Sequence, residues 1–330
     1  MKLAVGFITY QEASARYLAD FLPSLEAALG FLDPGSYQAM VFDNSPAGDQ
    51  SNAVVLEDFS AHQARKPLQY QTEGKNLGFS RAYNIMIRSA LKMGAEYFFV
   101  INPDTLIEPE AIRKLIAALD AETSLASVAP KIRRWDFERK EKTNRLDSAG
   151  IILKAGLHFS DLGQGEEDDG RFDRAEILGP SGAAALFRLS ALARVAEQGR
   201  NGGAAQYFDE HFFMYKEDCD LAYRLFLAGY ESRLVPEAIV YHDRTAASSG
   251  QGLPSVWRDR QKKSHQIRSW SFANQHLLFV KHWKKQNLAS RLIIMVRISI
   301  MFIFSLILEQ FLLKSYWSVL KLSRGLTNIK

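Results

Sequence analysis

FFVINPDTLIEP, residues 98–109, runs four apolar residues straight into Asn102, Pro103 and Asp104. A short apolar run bounded by turn formers reads as a buried strand, so the carboxylate just past its end needs a reason. One reason is structural: Asn, Pro and Asp are ordinary turn residues, and an Asp can cap a helix starting near Glu108. The other is chemical. A carboxylate at a central strand end is suited to hold a hard divalent ion through oxygen while that ion also binds phosphate oxygens.

Outward from this stretch the first half of the chain alternates strand and helix. LAVGFIT (3–9), QAMVFD (38–43), LQYQT (68–72), YFFVIN (97–102) and LASVAP (125–130) read as brief buried strands. Helical stretches lie between them, around 13–31, 51–64, 79–94 and 109–121. Such alternation predicts an α/β fold with a mostly parallel sheet covered on both faces, and ligands at the carboxyl ends of its strands. Three of those ends carry polar groups: Thr9, Tyr10 and Glu12; Asp43, Asn44 and Ser45; Asn102 and Asp104. Residues 131–180, charge-rich around short apolar pieces such as IILK, are expected to form an insertion or irregular β region with solvated loops. GPSGAAALFRLSAL then predicts a small-residue turn, a strand and a helix start. FFMYKEDCDLAYRLFLAGY predicts an amphipathic helix ending at Gly229, with a strand to follow near SRLVPEAIVYHD.

Composition narrows the chemistry. At 330 residues and 47% hydrophobic content the chain supports one large α/β domain or two smaller ones. Its single cysteine, Cys219, excludes an intramolecular disulfide and a cysteine-rich zinc site. The opening MKLAVGFITYQ is too briefly apolar for a secretory signal and reads as the first strand. The sequence contains no phosphate loop, no GxGxxG after the first strand, no GxSxG and no HExxH, which disfavours ATPase, hydride-transfer, serine-nucleophile and zinc chemistry.

A transfer to a hydroxyl needs a base as well as a hold on the leaving group. YKEDCDLAYR supplies Glu217, Asp218 and Asp220 near a helix N-terminus, where the macrodipole favours negative charge. Adjacent carboxylates point in different directions, so one can face a pocket while its neighbour takes a structural hydrogen bond. Arg224, four residues after Asp220, either pairs with it along the helix or reaches a phosphate.

In order, TY near residue 9, VFDNS at 41–45, NLGFSRAYN at 76–84, INPDT at 101–105, GPSGAAALFR at 179–188, and FMYKEDCDLAYRLFLAGY at 213–230 followed by VYHD resemble the inverting glycosyltransferase family 2. Within it the pattern is most similar to bacterial rhamnosyltransferases, and the resemblance covers about residues 1–245. It implies a GT-A fold, a Rossmann-like sheet with flanking helices, a nucleotide-sugar donor and a divalent metal, Mg²⁺ or Mn²⁺. By that resemblance Thr9, Tyr10 and Glu12 line the nucleotide pocket, Asp43 with Asn44 contacts the base or ribose, and Asn76, Gly78, Phe79 and Asn84 lie along the donor. Asn102 and Asp104 form the DXD-like motif, Asp104 being the metal carboxylate and His242 an extra metal or diphosphate contact. Arg224 is assigned to the donor, Gly182 and Ala183 to the acceptor side, and Asp218 becomes the general base with Glu217 beside it. The first acid of DXD is Asn102 here, so the metal site carries one charge fewer.

The implied reaction moves a sugar, most readily L-rhamnose from dTDP-rhamnose, to a glycan or polyprenyl-diphosphate-linked saccharide in cell-surface polysaccharide synthesis. A UDP-hexose donor and a catalytically inactive scaffold of the same fold are the alternatives. Residues 1–250 are expected to form the catalytic domain, with a nucleotide-sugar half to 130 and an acceptor half from 131, and 251–330 a helical tail. From Lys281 to Lys330 nine Lys or Arg face one acid, Glu309, a charge of +8 against −4 for the rest. RLIIMVRISIMFIFSLILEQFLL (291–313) between basic and aromatic flanks reads as a helix lying on an anionic membrane surface, or else as a helix buried in a homodimer or a terminal core helix. The expected location is peripheral, on the cytoplasmic face of the bacterial inner membrane. No nucleic acid is expected, since the aromatics are not interleaved with a basic groove.

Overall fold

The computed structural model describes residues 1–199, 202–244 and 260–326, the last three of these by backbone alone. The first half forms the expected alternation: β1 (Leu3–Thr9), α1 (Gln11–Leu29), β2 (Tyr37–Asp43), α2 (Ala53–His62), β3 (Gln69–Thr72), α3 (Gly78–Lys92) and β4 (Tyr97–Ile101). β5 (Thr105–Ile107) follows, then α4 (Ala111–Ala121) and β6 (Leu125–Asp136). The second half adds β7 (Glu141–Ser148), β8 (Ile151–Lys154), β9 (His158–Asp161), β10 (Ala184–Arg188), α5 (Leu189–Arg194), α6 (Glu217–Leu227) and β11 (Glu231–His242). The tail is α7 (His265–His282), α8 (Leu288–Ile307) and α9 (Leu313–Leu326).

The main sheet runs β3-β2-β1-β4-β10-β6-β11-β5, with β7 beside β6. Strands β3, β2, β1 and β4 are parallel, as the alternation requires. Beyond β4 the sheet is mixed: β10 is antiparallel to β4 and β6, β11 parallel to β6, and β5 antiparallel to β11. The cause is the excursion after β6, which returns the chain at the carboxyl end of β4, so the next strand has to run back down. That excursion is more regular than its charge suggests, consisting of the β6–β7 hairpin and the separate β8–β9 hairpin.

Burial on both faces explains the continuous apolar strands. In β4, Tyr97, Phe99 and Ile101 enter one cluster with Phe7, Phe21, Val41 and Leu115, whereas Phe98 and Val100 enter the other with Met40, Tyr83, Met86 and Leu221. Side chains alternate across a strand, so each face holds its own helices: α1 and α4 on one, α3 and α6 on the other. Asp104 caps no helix, because Thr105–Ile107 becomes the edge strand β5 and α4 starts only at Ala111.

α7 packs on α6 through Phe212, Cys219, Tyr223, Leu277, Leu278 and Phe279, a cluster that also takes Ile294 and Val319. Below it Lys281 Nζ lies 2.8, 2.6 and 2.9 Å from carboxylate oxygens of Glu197, Asp209 and Asp220, and His282 Nε2 lies 2.8 Å from Asp220. Burial would raise the Asp220 carboxyl, yet Lys281 and Arg224 hold it well below the usual carboxylate range. The boundary expected at residue 250 lies outside the described residues.

Candidate active site

The carboxyl ends of β1, β2 and β4 open on one side of the sheet, as parallel pairing of neighbouring strands demands. Thr9 pairs in register with Asp43, and its hydroxyl donates to Asp43 Oδ1 at 3.0 Å. Ser45 donates to the same oxygen at 2.7 Å, and Tyr70 of β3 donates to Asp43 Oδ2 at 3.0 Å. Asp43 is buried and Tyr70 exposed, so the Tyr70 ring carries this polar group to the surface. Burial, and then the Asp43 charge, push the Tyr70 phenol up to about 12. Tyr10 and Glu12 are exposed at the start of α1, beside this end. Asn44 does not face outward; its amide donates to Gly78 O and accepts from Leu77 N.

Asp104 meets His242 because β5 pairs antiparallel with β11, Thr105 opposite His242. His242 Nε2 lies 3.3 Å from Asp104 Oδ2, and its Nδ1 lies 2.8 Å from Asp147 Oδ2. Arg244 completes the set at 3.1 Å from Asp147 and 3.2 Å from Asp161. Burial alone would lower the His242 imidazole, but the two carboxylates, Asp104 first, raise it to about 10. One carboxylate oxygen and one imidazole nitrogen converge here, and a second carboxylate orients the far ring nitrogen. This donor set fits a divalent ion with an outer-sphere carboxylate behind its histidine. The carboxylates of Glu197, Asp209 and Asp220 also come within 4.8 Å of one another, but there the cation is the Lys281 ammonium.

Glu217 and Asp218 open α6 and diverge. Asp218 is half-buried and accepts from Gly182 N at 3.0 Å and Cys219 N at 2.8 Å. Glu217 is buried, and its Oε2 has no hydrogen-bond partner among the described residues. Burial, and then the charge of Asp218, push its carboxyl well above the ordinary value. A carboxyl kept neutral is suited to donate a hydrogen bond, which leaves proton abstraction to its neighbour. Gly182 and Ala183 join the two motifs: Gly182 N holds Asp218, while Ala183 O accepts from Asn102 N at 3.0 Å.

The turn before this pair is strained. Tyr215 and Lys216 sit at φ 74° and 73°, a left-handed conformation costly for residues with a side chain. Asn274 of α7 holds it, its amide donating to Met214 O at 2.8 Å and Tyr215 O at 2.7 Å. On the other side α3 clamps the same segment. Phe79 N donates to Phe213 O at 2.8 Å, and Gly78, at φ +78° with Asn76 accepting from its N–H, leaves no room for a side chain: a Cβ there would lie 2.4 Å from Phe213 O.

Two expected donor contacts are corrected. Asn84 is fully buried, and its amide is engaged by Tyr207 N, Phe208 N, Phe208 O and Glu210. Arg224 is buried too; it pairs with Asp220 at 2.8 Å and donates to Val195 O and Tyr207 O, so its guanidinium is engaged within the fold. The local pairing left open by the sequence is the one adopted. Asn274, Tyr70 and Asp147 escaped the sequence reading. The signal for Asn274 was three consecutive polar residues, Asn274, Gln275 and His276, inside an apolar helix, and all three are buried.

This combination of a mixed sheet with a parallel first half, strand-end carboxylates and a paired acid at a helix start belongs to a GT-A type glycosyltransferase fold. The sequence pattern of Glycosyl transferase family 2 matches residues 5–196, and that of Glycosyl transferase family group 2 matches residues 171–323. The chain belongs to glycosyltransferase family 2. It is 30% identical over 210 residues to the N-acetylglucosaminyl-diphospho-decaprenol L-rhamnosyltransferase of two Mycobacterium tuberculosis strains. The match covers 58% of this chain and 64% of those relatives, so just under two thirds of their length is represented. Among solved structures, S. aureus TarS 1-349 superposes with a TM-score of 0.53 at 16% identity, over 99% of this chain and 81% of that one. GalNAc-T7 with UDP, GalNAc and Mn²⁺ gives 0.53 at 10% identity, over 84% and 51%. At such identities the likeness is one of fold.

Proposed function

We propose that this glycosyltransferase inverts the anomeric centre and moves L-rhamnose from dTDP-rhamnose to a hydroxyl of a lipid-linked saccharide. The observation that carries the reading is the Gly182–Ala183 bridge, which fixes the Asp218 carboxylate beside the strand end bearing Asn102 and Asp104. The transferred sugar and the acceptor class rest on the mycobacterial relatives, whose name gives L-rhamnose and a lipid-linked saccharide; the dTDP carrier rests on the resemblance to rhamnosyltransferases.

Thr9, Asp43 and Tyr70 receive the nucleoside at the ends of β1, β2 and β3. Asp104 and His242 would hold Mg²⁺ or Mn²⁺, whose charge neutralises the departing diphosphate when the ion is bound. Asp218 takes the proton of the acceptor hydroxyl as its oxygen attacks the anomeric carbon from the face opposite the nucleotide. The new glycosidic bond forms as the bond to the diphosphate breaks, and the electron pair leaves with the nucleotide. Glu217 beside it, its carboxyl pushed well up by burial, would donate a hydrogen bond to the reacting groups.

The test is thermal stabilisation by dTDP, dTDP-rhamnose, UDP and GDP, each with and without Mg²⁺ or Mn²⁺, on the wild type and Asp104→Ala. Saturation at 100-fold over Kd stabilises by about 2.7 kcal/mol. A metal-dependent response to dTDP ligands, lost in the variant, is expected. A response confined to UDP ligands replaces rhamnose with a UDP-hexose, and silence towards every nucleotide removes the transferase mechanism from this chain.

A further inference from the structure

The most apolar surface of the molecule lies far from these residues in sequence. α8 buries one narrow stripe: Ile294 and Ser305 are buried, and Ile298 and Met301 pack on the cluster beneath α7. Only 11% of its most apolar stretch is buried, and Leu292, Val296, Ile300, Ile303 and Ile307 stand exposed along the opposite side. Its one central charge does not interrupt that side. Arg297 turns inward, donating to Gly156 O at 2.8 Å and lying over the Phe279 ring. Ser299, also exposed, turns its hydroxyl onto Met295 O at 3.1 Å.

Charge surrounds this apolar strip in one sign. Lys284 and Lys285 are exposed just before α8. On α9, Lys314, Trp317 and Lys321 fall at i, i+3 and i+7 and are all exposed, Trp317 at 77%. The one acid of the tail, Glu309, is buried between Arg260 and Arg268, so it offsets none of this outward charge. An uncharged strip flanked by lysines and a tryptophan has the chemistry of a helix at the water–lipid interface. At 20 residues α8 is about 30 Å long, enough to cross a bilayer. Its inner stripe is nonetheless packed on the body at Ile294, Ile298 and Met301 and hydrogen-bonded to it by Arg297, so one side of the helix is closed to lipid.

We propose that the outer faces of α8 and α9 dock this protein onto an anionic lipid bilayer. The β8–β9 hairpin gives the docking face its relation to the chemistry. Its turn seats α8 at Gly156, where a Cβ would come within 2.4 Å of Ile293, and its far end is Asp161, 3.2 Å from Arg244 in the Asp104–His242–Asp147 network. Gly156 to Asp161 is five steps along the chain, at most about 17 Å at roughly 3.3 Å per strand residue. A lipid-linked acceptor therefore has a short path from the surface to Asp218; that use of the surface rests on the transferase reading above, whereas docking itself does not.

Flotation of the full-length protein with phosphatidylcholine vesicles, with and without phosphatidylglycerol, tests it. Partition into the anionic vesicles, weakened by salt, is expected. Ile300→Ser with Ile303→Ser is expected to cut it more than tenfold, and each of Lys314→Ala and Lys321→Ala about fivefold. Thermal midpoints and transfer to a soluble acceptor analogue stay at the wild-type level in all of them. No partition at low salt overturns the proposal. So does a dimer, by light scattering, that the isoleucine pair dissociates without any vesicle binding, since a second copy then covers the face. Vesicle binding without a response to any nucleotide leaves docking in place and removes only the transferase reading.

Discussion

Asn274→Ala separates the structural support of the catalytic pair from the pair itself. The variant loses two hydrogen bonds, of 2.8 and 2.7 Å, to the carbonyls of Met214 and Tyr215. Each is worth about 0.5–1.5 kcal/mol net, so the turn loses about 1–3 kcal/mol. Against it stands the left-handed conformation of Tyr215 and Lys216, which stores roughly 1–2 kcal/mol per residue. The two quantities are of one size, so without Asn274 the turn relaxes in a large share of molecules and releases Glu217 and Asp218 from their alignment. We expect kcat to fall about 10- to 100-fold, the equivalent of about 1.4–2.8 kcal/mol, with the donor KM unchanged because Thr9, Asp43 and Tyr70 lie on other elements. Steady-state kinetics with the donor varied, beside a thermal melt, reads both. Adding Lys216→Gly removes the strain at one of the two positions and is expected to restore part of kcat, an outcome that simple damage to the core does not give. A lowered melting midpoint with unchanged kcat would refute the argument, because the turn would then be held by something other than Asn274.

Asp218→Asn is expected to lower kcat by about 10²–10⁴ while nucleotide binding persists, and near-normal turnover in a direct transfer assay removes Asp218 from the role of base. Gly78→Ala places a Cβ against Phe213 O in a left-handed backbone position, so circular dichroism melts should show a clear loss of stability and turnover should fall with it. Lys281→Met leaves Glu197, Asp209 and Asp220 without their shared ammonium, and a cost of about 3–5 kcal/mol at neutral pH is expected in denaturant unfolding. Burial would raise the Asp209 carboxyl, but Lys281 lowers it to about 2; in the wild type its contribution is present above the ordinary carboxylate value and is lost as pH falls through about 2. In the variant the carboxyls, Asp220 left with Arg224 and His282 and Asp209 with His211, titrate higher, so the stability deficit should shrink as pH is lowered from 7 towards 4, and a deficit constant across that range contradicts the assignment.

Local pattern carried the strands and helices because both faces of the sheet are covered: β4 is apolar throughout, β1 and β2 nearly so, and turn formers bound them. The places of Asp104, Gly182 and Asp218 in the fold, past a strand end, before β10 and at a helix start, were legible for a related reason, since element ends can be located from the chain itself. What stayed hidden needed a distant partner. Asn84 and Arg224 look like ligand contacts in sequence, yet their partners, the backbone at 195 and 207–208, are set by tertiary packing that no local spacing reveals. β5 was hidden in the same way, because three residues become a strand only when β11 lies beside them. The buried polar run of α7 was read as part of a tail because periodicity identifies a helix without naming what it covers.

That last residue run changes how the tail relates to the chemistry. One side of α7 presents Asn274 to the strained turn and Lys281 and His282 to the buried carboxylates beneath α6. The other side meets α8 and α9 through Phe272, His276 and Phe279: Arg297 lies over the Phe279 ring, and the Tyr316 ring meets those of Phe272 and His276. A close-packed interior transmits displacement instead of absorbing it. A force on the outer faces of α8 and α9 therefore acts on the helix that holds the Met214–Tyr215 carbonyls, two residues before Glu217. The apolar surface and the turn before Glu217 and Asp218 are thus joined to opposite sides of a single helix.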